Sequence, residues 1–249
     1  MIFFRDSLLF ATAVVLILKA VEVYSIVGGH TTLSGEAPFI VALHSSSNSA
    51  FICAGVLVKD SWVLSTAQCV ENKTEADIKI LFGSHRLLTN KKQFQISKIL
   101  RHAEYEVFNN TNNLALLQLS EAVPITTRVS TIALNDEQIS SSTPTVFYGW
   151  GSLSFGSTAY SNNLQTLYQR ALSTIDCRLR ISNLPAGNIC AVAQQQQSAC
   201  SKDEGGPLVR YDSGKLIGIF NYGSKCSGNL PDVFVDVYAY KSWIESTIA

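Results

Sequence analysis

The densest chemistry in this 249-residue chain is the run Lys202-Asp203-Glu204-Gly205-Gly206-Pro207. Two adjacent carboxylates stand beside a cation and ahead of a Gly-Gly-Pro turn. Paired carboxylates do the acid–base work of glycoside hydrolysis, so Glu204 with a second acid is the first pairing to weigh. A carboxylate is no source of the alkoxide-like nucleophile that acyl transfer needs. The imidazoles that could move a proton are His30, His44, His85 and His102, each read most simply as a surface or loop residue. No metal or other cofactor is expected.

Short apolar segments separated by Gly, Asn, Ser and Pro must position these groups. They are Phe39–Leu43, Val56–Val58, Trp62–Leu64, Ile78–Phe82, Leu114–Leu119, Thr145–Tyr148 and Lys215–Ile219. Many short strands with turn signals predict an all-β sandwich or barrel. Only Ala239–Glu245 has a helical pattern, and the Gln194–Gln197 run reads as a solvated loop.

With 47% hydrophobic and 15% charged residues the chain can bury a full core. A net charge of zero gives no reason to expect nucleic acid or a membrane surface as a partner. Arg5 followed by the apolar run Leu8–Leu18 reads as a secretory signal rather than a stable membrane anchor. Cleavage is expected after Ser25, or after Ala20 with a stub from Val21 to Ser25. Six cysteines suit an oxidising compartment and allow fifteen pairings, among which spacing does not choose. The sequons at Asn72 and Asn109 agree with secretion.

Six ordered blocks give a resemblance to the trypsin/chymotrypsin-like serine proteases. They are Ile26-Val27-Gly28-Gly29, Trp62 to Cys69, Asn112 to Leu116, Gly149-Trp150-Gly151, Lys202 to Pro207, and Trp243-Ile244. Residues 26–249, about nine-tenths of the chain, resemble this family. The resemblance implies two six-stranded antiparallel β-barrels with a groove between them and a C-terminal helix. It also implies the disulfides Cys53–Cys69, Cys177–Cys190 and Cys200–Cys226.

The same resemblance locates a catalytic triad and shows all three members replaced. Gln68 stands where the general-base histidine belongs, Asn113 where the orienting aspartate belongs, and Glu204 where the nucleophilic serine belongs. Gln68 has no titratable group and Asn113 no charge, so the mechanism lacks a base and its orienter. The oxyanion-hole position held by glycine in the family is Lys202. Asp203 matches the aspartate that pairs with the freed N-terminus of Ile26, which leaves it unavailable as a partner acid for Glu204. The former substrate pocket is expected at Ser198, Asn221, Tyr222, Gly223 and Asp232. An acid at 232 is expected either to plug that pocket or to favour cationic side chains, with a plugged pocket preferred.

The resulting expectation is a secreted pseudoprotease acting by protein binding, as regulator, cofactor or decoy in an extracellular protease network. Its partner would be an active protease, a substrate of one, or an inhibitor. Inactive members of the family are described from insect immune and reproductive fluids, and no clip-like cysteine domain precedes Ile26. The alternative is a protease with residual or altered hydrolysis.

Overall fold

A computed structural model of the chain describes residues 29–249, apart from 90, 153, 155, 156, 158, 195, 196, 224, 225, 227 and 228. The expected signal segment, Ile26, and the middle of the glutamine run lie outside the described residues. A two-residue strand β1 (His30–Thr31) opens the described chain. The first barrel follows, from β2 (Ile40–Ser45), β3 (Phe51–Lys59), β4 (Trp62–Ser65), β5 (Ile78–Leu81), β6 (Gln93–Arg101) and β7 (Ala115–Leu119). It closes in the order β2-β3-β4-β7-β6-β5.

The second barrel is built from β8 (Thr143–Gly149), β9 (Gln165–Leu172), β10 (Asn188–Val192), β11 (Pro207–Arg210), β12 (Leu216–Tyr222) and β13 (Asp232–Asp236). Its ring runs β9-β10-β13-β12-β11-β8 and closes through β8–β9, with β1 added to β9. All the pairings within both barrels are antiparallel. Helix α1 (Thr174–Arg180) links β9 to β10, and α2 (Lys241–Thr247) ends the chain. Two closed six-stranded barrels and a C-terminal helix are thus the fold.

Burial explains why the central strands read as unbroken apolar runs. In β4 and β7, Val63 and Leu117 point into the first barrel, while Leu64 and Leu116 join the layer between the barrels. Both faces are therefore dry, and alternation disappears. The second barrel is filled by Phe147, Phe220 and Phe234, whose ring centroids lie 5.5–5.7 Å apart. The interbarrel layer adds Tyr148, Trp150, Val209, Val235 and, from α2, Ile244.

Two expectations need correction. The end of the chain is not its only helix: α1 is capped by Ser173, whose Oγ accepts the Asp176 N–H at 3.2 Å. Ile175 and Leu179 on α1 are 75% and 81% exposed, so no apolar stripe marked it. His44 is also no surface residue. It is buried in β2, with Nδ1 2.9 Å from the Ser49 carbonyl and its ring against Phe51.

The six cysteines form Cys53–Cys69, Cys177–Cys190 and Cys200–Cys226, the pairings implied by the resemblance. Both sequon asparagines, Asn72 and Asn109, sit on exposed turns. No helix among the described residues is long and apolar enough to cross a membrane.

Candidate functional site

Three segments converge on the groove between the barrels. Gln68 begins a single 3₁₀ turn after β4, Asn113 sits two residues before β7, and Glu204 lies three before β11. The Gln68 backbone N–H donates to Asn113 Oδ1 at 2.9 Å. Asn113 is completely buried, and its Nδ2 donates to Asn221 Oδ1 at 2.8 Å. Asn221 Nδ2 donates in turn to Asn188 Oδ1 at 2.9 Å and to the Asn110 carbonyl at 3.3 Å. Asn188 is fixed by donating to the carbonyls of Ala186, at 3.0 Å, and Pro185, at 3.4 Å. The result is a one-way relay of neutral carboxamides in which each orientation dictates the next. The Gln68 side chain itself is exposed.

Glu204 is locked to the first barrel by its carbonyl, which accepts the Ala54 N–H at 2.9 Å. Gly205 follows with φ +82°, and a Cβ there would fall 2.1 Å from the Ala54 oxygen, so this crossing requires glycine. Burial pushes the Glu204 carboxyl pKa up. Its own backbone N–H and that of Lys202 pull it partly back, helped by the Lys202 charge. Those two N–H groups are the pair that the resemblance assigns to the oxyanion hole. Lys202 adopts φ +74°, a left-handed conformation uncommon for a side-chain-bearing residue, and its side chain is exposed.

Asp203 points the other way, into the protein. It is fully buried and accepts the N–H of Gly151 at 2.7 Å and of Cys200 at 2.8 Å. Burial raises its pKa well above the ordinary carboxylate range, against these two hydrogen bonds. The charges of Glu204 and Asp232 raise it further. A Cβ on Gly149 or Gly151 would meet an Asp203 oxygen at 2.0 or 2.1 Å, which accounts for glycine on both sides of Trp150.

Beside Glu204 lies a cavity of about 190 Å³ lined by Ala199, Cys200, Ser201, Phe220, Tyr222, Gly223 and Cys226 as well as Glu204 itself. Tyr222 and Gly223 thus line the cavity, whereas Ser198, Asn221 and Asp232 are buried behind its wall. Asp232 Oδ1 accepts the Ser198 hydroxyl at 2.7 Å. Its Oδ2 accepts the Ala199 N–H at 2.9 Å and the Gln169 amide at 2.6 Å. Burial pushes the Asp232 pKa to about 6 in spite of these donors. The acid is packed against the back of Gly223, where a Cβ would lie 2.8 Å from Oδ1. Its carboxylate therefore neither fills the cavity nor opens onto it.

Asn188 and Gln169 were not singled out from the sequence. Each is a polar residue in a strand, and nothing local marks it as a partner of Asn221 or Asp232.

The trypsin family profile matches residues 26–244. Human trypsin-3 is 33% identical over 90% of this chain and 73% of its own length. Anionic trypsin of Bos taurus is 33% identical over 90% of both chains. Among solved structures, mouse neuropsin, a serine protease expressed in the limbic system of the brain, superposes with a TM-score of 0.81. It is 25% identical and aligns with 89% of this chain and 99% of its own. The chain belongs to the trypsin family.

Proposed function

We propose that this chain is a secreted, non-catalytic member of the trypsin family. It acts by binding a protein, as a regulator, cofactor or decoy in an extracellular protease network of an immune or reproductive fluid. Its partner is an active protease, a substrate of one, or an inhibitor, and no cofactor is used. The observation that carries this reading is Glu204 at the nucleophile position. The backbone N–H groups of Glu204 and Lys202, the pair an acyl-transfer oxyanion would need, pull its carboxyl pKa down against burial. A substrate carbonyl would compete with Glu204 for those donors. Gln68 offers no base, and Asn113 already spends its oxygen on the Gln68 backbone.

Three disulfides and two exposed sequons agree with secretion and glycosylation at Asn72 and Asn109. The relatives' names point to proteolysis, the rival reading. The deciding experiment treats the secreted protein with an organophosphate-type serine probe and with a panel of chromogenic peptides. Neither labelling nor turnover is expected. Stoichiometric labelling at any residue would overturn the proposal, and a pull-down from the native fluid would then identify the partner if it stands.

A further inference from the structure

On the outer face of the second barrel, away from the Glu204 cavity lining, three aromatic rings form a row. His30 stacks on Tyr168 with centroids 5.6 Å apart and planes 24° from parallel. Tyr168 meets Tyr211 edge-on at 6.1 Å. Tyr168 and Tyr211 are 53% and 65% exposed, so beyond these ring contacts they leave large apolar surfaces open. The row separates two clefts of about 470 and 180 Å³ that share Tyr168 and Gln194. Pro144, Val192 and Arg170 complete the apolar and charged lining of the larger one. Among the described residues no carboxylate lines either cleft.

The geometry points to a docking site for an acidic, proline-rich protein segment in the polyproline II conformation. Strand addition is not on offer, because β8, β9 and β10 are each paired on both sides within a closed barrel. Capture must therefore use side chains. A polyproline II segment presents carbonyl acceptors and, at proline, no N–H donor. The larger cleft answers with donors: two tyrosine hydroxyls, the Gln194 amide and the Arg170 guanidinium. Its aromatic wall and Pro144 supply the apolar rail that pyrrolidine rings pack on. Arg170 is anchored by donating to the Ser142 carbonyl at 3.1 Å, and as the sole charged group among the described residues lining the larger cleft it selects acidic residues. An acidic sugar would share the charge preference. Its many hydroxyl donors, however, would meet no carboxylate acceptor among the described lining residues.

The test titrates the purified secreted protein into a fluorescent peptide of repeated Pro-Pro-Glu triplets, read by anisotropy. Three residues per turn put every glutamate on one face of that peptide. Saturable binding is expected, weakened on the order of tenfold or more by Tyr168→Ala or Tyr211→Ala, the size of a hot-spot loss. Arg170→Glu and a Pro-Pro-Lys peptide should each weaken it comparably. Circular dichroism establishes that the exposed-site variants remain folded. Absence of saturable binding, equal affinity in the tyrosine variants, or Tyr168-dependent binding of a sulfated oligosaccharide in place of the peptide would each overturn the proposal.

Discussion

Asn113→Asp, which restores a carboxylate at the triad's orienting position, should destabilise the protein in a pH-dependent way. Asn113 Nδ2 donates to Asn221 Oδ1 at 2.8 Å, so an aspartate oxygen placed there would face an acceptor. Asn221 does not relieve this by flipping. Its own Nδ2 is committed to Asn188 Oδ1, and Asn188 is held by Ala186 and Pro185. The buried carboxyl escapes the clash only by keeping its proton and donating to Asn221. Its folded-state pKa is therefore raised above the unfolded value of about 4. A group raised in this way has its stability in full below the unfolded pKa and loses it as pH rises through the folded pKa. If the carboxyl is lifted by about two pH units, the loss at pH 7 is about 3 kcal/mol, at about 1.4 kcal/mol per unit. For a chain of this size that lowers Tm by about 6–12 °C. Thermal unfolding of variant and parent at pH 4 and pH 7, disulfides intact, should show the deficit only at pH 7. An equal deficit at both values, or none at either, would refute the relay argument.

Asp232→Asn should do the reverse. The Asp232 pKa of about 6 lies above its unfolded value, so its contribution is lost as pH rises through 6. An asparagine can keep all partners, with Nδ2 donating to Ser198 Oγ while that hydroxyl still donates to the Ala199 carbonyl. The variant should gain about 3 kcal/mol over the parent at pH 7.5 and little at pH 4, and a pH-independent Tm difference would count against it. Restoring the triad in name, with Gln68→His, Asn113→Asp and Glu204→Ser together, should give weak peptide turnover or none. Adding Lys202→Gly should raise the rate, because a single oxyanion donor is worth about 10²–10³. Robust rates from the triple variant with no gain from Lys202→Gly would show that only three side chains were lost.

The sequence by itself determined the architecture, and through the family resemblance it implied which triad positions are replaced. Gly149-Trp150-Gly151, Trp62 to Cys69 and Gly205-Gly206-Pro207 are positions where backbone approach or double-sided burial leaves little choice of residue, so the blocks remain legible. At Gly151 a Cβ would overlap Asp203, and at Gly205 it would overlap Ala54. Strands with two dry faces, such as β4 and β7, announced themselves by unbroken apolar runs. β6, whose outer face is exposed, alternates and did not stand out. What only the tertiary structure decided is how the altered residues are used. Asn113, Asn188 and Asn221 are separated by 33 to 108 positions along the chain, yet they set one another's amide orientation. Asp232 was legible as an acid near the former pocket, but its place behind Gly223, held by Ser198 and Gln169, was not. A polar side chain's role depends on which donors and acceptors face it across the fold, and in a barrel those partners come from distant strands.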